Sequence, residues 1–172
     1  MKNNKLKITV IDGYLDEPSC LGVPPYVSPH IRYLWGALLE SGISEDKLNY
    51  LTIDAFRSSK ESELEKMEAQ DIVILIAGTT VPGHYLGGQP ATAAEIKEIG
   101  EKVFYPTKVL GGPITLIEKM KNKFKNDYDI LAAEIAAVDI FERLNEIEVP
   151  AAEIDKYINQ FALSGARLLK RH

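Results

Sequence analysis

Residues able to do chemistry are few in this chain, and they gather in short stretches. Asp12, Asp16 and Glu17 follow an apolar run in DGYLDEPSC, which also carries Cys20, the one cysteine. His84 stands in PGHYLGG, and a GGP triplet occupies Gly111 to Pro113. Paired carboxylates suit acid–base work or a cation, a thiolate suits nucleophilic attack or a soft metal, and glycine backbone N–H groups suit a phosphate or an amide. Each pattern also has a plainer use. Asp16 and Glu17 resemble carboxylates on any surface, Cys20 reads as a small apolar filler, and glycines make tight turns. A single cysteine makes no intramolecular disulfide, no zinc site with cysteine partners and no iron–sulfur cluster by itself. No Ser-His-Asp arrangement can be picked out. Neither GxGxxG nor GxxxxGKS/T occurs, which argues against a dinucleotide dehydrogenase and a P-loop NTPase. A phosphoacceptor receiver would want a lysine after its fifth strand, where this chain has Ala132-Ala133-Glu134.

The elements that must position these residues follow from periodicity. Leu6 to Ile11 is a β-branched strand stopped by Asp12-Gly13. From Ser28, a capping residue followed by Pro29, the period becomes helical, with Ile31, Leu34, Trp35, Leu38 and Leu39 on one face before Gly42. Asn49 to Ile53 reads as a strand, and Ser58 to Glu61 as a capping box opening a polar helix that reaches Ala69. Asp71 to Ala77 is continuously apolar, as befits a central parallel strand covered on both faces. A second capping box, Thr92 to Glu95, opens a helix through Ile96, Ile99 and Val103. Lys108 to Leu110 and Asp129 to Ala132 complete five strands, with helices near Leu116 to Phe124, Glu134 to Leu144 and Ala151 to Leu163. Strands separated by helix-length segments imply right-handed crossovers, hence a three-layer α/β fold: a doubly wound, parallel five-stranded sheet.

At 172 residues the chain suits one such domain, and a net charge of −5 argues against a nucleic-acid surface. The lysines at 119, 121, 123 and 125 read as a solvated helix face. No segment approaches about 18 consecutive apolar residues and no secretion signal opens the chain, so the expectation is a cytoplasmic protein without membrane or nucleic-acid partners.

In open α/β sheets ligands bind beyond the carboxyl ends of the strands, where strand order reverses; for the order 2-1-3-4-5 that point lies between strands 1 and 3. The two longest loops, Asp12 to Ser28 and Gly78 to Pro90, follow those strands, and loops of such length in a compact domain are usually functional. They are expected to face each other across the crevice, with Gly111 to Pro113 as the neighbouring wall.

The stretches VIDGYLDEPSCLGVPPYVSPHIRYLWGALLESG, TIDAFR, DIVILIAGTTVPGHYLGG, KVLGGPI and DYDILAAEIAAVDIFERL resemble, in this order, the amino-terminal cobalamin-binding-like domain of radical SAM enzymes, particularly an archaeal group. Tyr33 to Gly42 matches a YLAALLEEAG-like helix, Gly111 to Pro113 a GGP turn, and Ala133-Glu134 a GE element with alanine for glycine. The resemblance spans Leu6 to Leu144, and order and spacing carry it rather than any one motif. It implies a Rossmann-like or flavodoxin-like domain over residues 1–150, with residues 151–172 a helical extension toward a radical SAM domain outside this chain. That domain would be the partner, in the same polypeptide or complex, and would hold the 4Fe-4S cluster and S-adenosylmethionine. This chain lacks CxxxCxxC and is expected to be inactive alone.

The resemblance further implies a cofactor-binding set of Asp12, Gly13, Gly78, Thr79, Thr80, Gly111, Gly112, Pro113 and Glu134, with cobalamin against the carboxyl edge and its nucleotide tail entering beside Thr79, Thr80, Gly111 and Gly112. No metal ligand and no catalytic residue is assigned. His84 has part of the DxHxxG spacing of cobalt-ligating proteins, but Pro82 fills the aspartate position and the loop follows the third strand, so the spacing reads as chance. His30 reads as a packing or surface residue. On this view Gly112→Val obstructs the tail and leaves most of the core intact. The alternative function is a stand-alone flavodoxin-like domain for a small ligand or a protein partner, using Trp35, Tyr14, Tyr26 and Tyr85 as an exposed patch.

Overall fold

The computed structural model describes residues 3–13, 27–78, 90–133 and 135–170. Tyr14, Asp16, Glu17, Cys20, Tyr26, Thr79, Thr80, His84, Tyr85 and Glu134 lie outside the described residues.

Five parallel strands form one sheet: β1 (Ile8–Asp12), β2 (Leu48–Thr52), β3 (Ile72–Ile76), β4 (Thr107–Gly111) and β5 (Ile130–Leu131), in the order β2-β1-β3-β4-β5. The expected α/β class, the doubly wound architecture and the reversal point between β1 and β3 are all present. The helices are α1 (Pro29–Glu40), α2 (Ile53–Ser58), α3 (Lys60–Glu68), α4 (Ala93–Lys102), α5 (Glu118–Phe124), α6 (Ala136–Asn145) and α7 (Ile154–Gly165). None of the helices in the described residues is long and apolar enough to cross a membrane.

Strand side chains alternate between faces, and two cores result. Ile8, Val10, Ile74, Ile76 and Val109 meet Ile31, Leu34, Trp35 and Leu38 of α1, Phe141 of α6 and Phe161 of α7. Ile11, Val73, Leu75 and Leu110 meet Phe56 of α2, Met67 of α3, Ile96 and Ile99 of α4, and Phe124 of α5. The continuous apolar run of β3 is thus explained: both of its faces are covered.

Local side-chain chemistry sets the starts of three of the seven described helices, α1, α2 and α4. The Ser28 hydroxyl accepts from the His30 N–H with Pro29 at the first helical position, and Thr92 and Glu95 close the expected capping box of α4. The expected box at Ser58 is not used. The Thr52 hydroxyl accepts from the Ala55 N–H, so α2 starts directly after β2, and Ser58 is the last residue of that helix, its hydroxyl donating back to the Asp54 carbonyl. Ser59 then makes no side-chain cap for α3.

The helical segment expected after Pro150 is present as α7, and it shares the sheet's core. Phe161 and Leu168 are fully buried, and Phe141, Tyr157 and Phe161 pack ring against ring. Gly36 lies against the Phe161 carbonyl and Gly165 against the Arg32 carbonyl, while the Arg32 Nε donates to the Ala162 carbonyl. α7 therefore runs antiparallel to α1 and carries the chain back toward the edge where α1 begins. The folded unit extends past Pro150.

Candidate functional site

Register places Asp12, Ile76 and Gly111 side by side at the carboxyl ends of β1, β3 and β4. Gly13 follows Asp12 and donates its N–H to the Ile76 carbonyl at 2.8 Å, while its own carbonyl accepts from the Ala91 N–H at 2.9 Å. The described ends of the two long loops therefore meet at the reversal point, as expected. Ala77 donates to the Gly111 carbonyl at 2.9 Å, so Gly78, Gly112 and Pro113 belong to the same edge. Of the nine residues proposed for the site, six are brought together here. Thr79, Thr80 and Glu134 lie outside the described residues.

Asp12 is 3% exposed, in register with Thr52, Ile76 and Gly111, and it accepts a hydrogen bond from the Tyr50 hydroxyl at 2.9 Å. Tyr50 stands on β2 on the same sheet face, with the Trp35 ring edge-on at 6.4 Å. A buried carboxylate is costly without donors, and Tyr50 supplies one. Tyr50 was not picked out from the sequence, although the alternation of Leu48, Tyr50 and Thr52 on one face was the signal available. Trp35 is fully buried, so the exposed aromatic patch imagined around it is not formed by this residue: its position in α1 faces the sheet. His30, in the first turn of α1, has its pKa lowered by desolvation, which favours neutral imidazole.

A second group ties the returning loop to the fold. Arg57 on α2 donates to both carboxylate oxygens of Glu95 at 2.7 and 2.9 Å, to Asp54 at 2.8 Å and to the Pro90 carbonyl at 3.1 Å. The Glu95 carboxylate also accepts from the Thr92 N–H and hydroxyl, both at 2.8 Å. The Arg57 hydrogen bonds, helped by Thr92, overcome the opposing effect of burial and hold the Glu95 carboxyl down to about 2, from 4.5. A carboxyl whose pKa is lower in the folded state stabilises fully above the unfolded value and ceases to do so as pH falls through the folded one. Unfolding measured in urea is therefore expected to show a loss on the order of 1–2 kcal/mol specific to this group as pH falls from about 4.5 toward 2. Glu95→Gln should flatten that part of the profile; an unchanged profile would show that the pair does not hold α4.

The glycines of the edge test whether a cofactor tail fits. A cradle for a ligand would leave open space where a Cβ would stand. Instead, a Cβ at Gly111 would lie 2.9 Å from the Ala136 Cβ and 3.0 Å from the Ile76 Cδ1, because α6 rests directly on β4. At Gly112 it would lie 2.6 Å from the Ala77 carbonyl oxygen, and φ there is +90°. The N–H groups just beyond the turn are also engaged, Ile114 with the Ala77 carbonyl at 3.2 Å and Thr115 with the Gly112 carbonyl at 3.0 Å. Protein atoms thus occupy the space beside both glycines on the side to which a Cβ would point. The expectation that Gly112→Val spares the core is corrected on the same ground. For a metal, no group of three or more His, Cys, Asp or Glu side chains is assembled among the described residues.

No protein-family profile matches the chain. It is 37% identical over 174 residues to an uncharacterized protein of Archaeoglobus fulgidus, covering 97% of this chain and 29% of that protein. It is 33% identical over 179 residues to an uncharacterized protein of Methanocaldococcus jannaschii, covering 95% of this chain and 32% of that one. The chain thus spans about a third of the length of the curated relatives it matches. Among solved structures, the radical S-adenosylmethionine methyltransferase TsrM of Kitasatospora setae, with tryptophan substrate and a SAM analogue bound, superposes with a TM-score of 0.45 at 17% identity, over 63% of this chain and 19% of that one. The same enzyme with cobalamin and a 4Fe-4S cluster bound gives 0.43 at 18% identity, over 66% and 20%. The flavodoxin-like domain of a Synechococcus protein gives 0.46 at 10% identity, over 95% and 99%.

Proposed function

We propose that this chain is an accessory domain of a radical SAM enzyme, working through its carboxyl edge against a domain that holds the iron–sulfur cluster and S-adenosylmethionine. The observation that carries this reading is convergence on one edge. The ends of both long loops meet there around Gly13, the buried Asp12 with its half-buried partner Tyr50 lies beneath it, and α7 brings the chain back toward it. The order and spacing of the sequence stretches support the enzyme class, and the archaeal relatives carry this region within chains about three times as long. With one cysteine, this chain's own residues do not supply the three thiolates of such a cluster.

A second reading, a stand-alone domain for a small ligand or a protein partner, has one observation in its favour. Phe104 and Tyr105 are 75% and 87% exposed at the turn before β4, and both of their N–H groups donate to the Glu68 carboxylate, at 2.7 and 3.1 Å. A pinned, exposed aromatic pair suits a protein contact.

Anaerobic purification of the uninterrupted gene product separates the two. The accessory-domain reading expects iron and sulfide at cluster stoichiometry, the brown absorbance of a 4Fe-4S protein, and reductive cleavage of S-adenosylmethionine. A product that ends near His172 and binds no iron after reconstitution would overturn it.

A further inference from the structure

The carboxyl edge combines two observations that pull apart. Its topology is that of a sheet which takes a ligand at the reversal point, yet the glycines that would admit a nucleotide tail are already in contact with protein. At Gly13 a Cβ would lie 2.6 Å from the Ile76 carbonyl oxygen and 3.1 Å from the Ala91 Cβ; at Gly111 the Ala136 and Ala132 methyl groups and Ile76 close in at 2.9, 3.4 and 3.0 Å; at Gly112 the obstacle is the Ala77 backbone. A slot for a benzimidazole and its ribose must be about 3.5 Å or more clear on each side of the inserted ring, the ordinary carbon–carbon contact distance. Here not even one added carbon reaches that distance at any of the three positions.

We infer that the seam between β4 and α6 is shut, so that this domain does not take the nucleotide tail of a cobalamin. The inference bears on the ligand of the site proposed above and rests on the packing alone. The small residues along the seam serve the fold: Gly111, Ala132 and Ala136 let α6 lie on the end of β4, and Gly112 turns the chain so that Ile114 can bond Ala77. A corrinoid that does reach this edge meets it from outside, and its tail contributes nothing to affinity.

Comparing hydroxocobalamin with cobinamide, the corrinoid that lacks the nucleotide tail, decides the matter. Both are titrated into the chain by absorbance and by calorimetry, with wild type and Gly111→Ala in parallel. The expected result is that the two bind with affinities within about threefold of one another, or that neither binds, and that Gly111→Ala changes neither outcome. Hydroxocobalamin binding at least about tenfold tighter than cobinamide, with the preference lost in Gly111→Ala, would overturn the inference. Thermal unfolding of Gly111→Ala run alongside shows whether that loss belongs to the slot or to an unfolded variant; a tail preference in wild type overturns the inference either way. None of these outcomes depends on iron content or S-adenosylmethionine cleavage, so the accessory-domain reading stands or falls separately.

Discussion

Gly36→Ala is expected to lower the thermal midpoint by about 10 °C, because about 3 kcal/mol of stability is lost when α7 is pushed off α1. The physical cause is a backbone contact. A Cβ at Gly36 would stand 1.9 Å from the Phe161 carbonyl oxygen and 2.7 Å from its Cα, and a Cβ at Gly165 would stand 1.9 Å from the Arg32 carbonyl oxygen. A flexible side chain could swing away from such a clash, but a helix backbone cannot, so the two helices must separate. Separation uncovers Phe161, which is fully buried and worth about 2–3 kcal/mol by area alone. It also loosens the bond from Arg32 Nε to the Ala162 carbonyl and those from Gln160 and Ser164 to Glu40. Urea unfolding of wild type, Gly36→Ala, Gly165→Ala and the double variant checks this. The double variant should cost much less than the sum of the singles, since either one alone already parts the helices. Leu163→Ala is the control: Leu163 is exposed on the same helix and its loss should shift the midpoint little. A Gly36→Ala protein that melts with wild type would mean that α7 is not docked on α1, and that the folded unit ends near Pro150.

What could be read from sequence was what short stretches decide by themselves. The β3 run is apolar at every position because both of its faces are covered, and that pattern needs no knowledge of what covers it. Ser28-Pro29 and Thr92 to Glu95 set helix starts through bonds to residues two or three positions away, so they too were visible. The Ser58 box failed because an equally local competitor, Thr52, caps earlier and uses the segment first. The glycines show the limit more sharply. Gly36 and Gly165 are 129 positions apart in the chain yet form one contact, and neither carries a local mark of it. A glycine pair at a strand end, such as Gly111-Gly112, looks the same in sequence whether a phosphate, a nucleotide tail or a helix of the same protein lies against it. Arg57 joins α2, α4 and Pro90 through partners 33 and 38 residues away, which no periodicity reveals.

Gly112→Val is accordingly expected to destabilise the fold by about 3 kcal/mol or more, with little of that loss attributable to any ligand. Two costs add at this position. The residue has φ +90°, in the region that L side chains rarely adopt and that a β-branched one tolerates least, at roughly 1–3 kcal/mol. Its Cβ would also lie 2.6 Å from the Ala77 carbonyl oxygen, which is the acceptor for the Ile114 N–H, so relieving the clash breaks that bond as well. Gly111→Ala is the instructive neighbour. There the backbone is unstrained, but the nearest atom is the Ala136 Cβ, carried by the backbone of α6, so α6 must shift by roughly half an ångström to admit the methyl, at about 1–2 kcal/mol. Chemical unfolding should therefore rank Gly112→Val below Gly111→Ala, and Gly111→Ala below wild type. The reverse ranking, or a Gly112→Val protein as stable as wild type, would show that the turn is not built as described and that space beside β4 is open after all. If the ranking holds, loss of ligand binding by a Gly112 variant says nothing about a slot, because the same substitution dismantles the turn on which the edge is built.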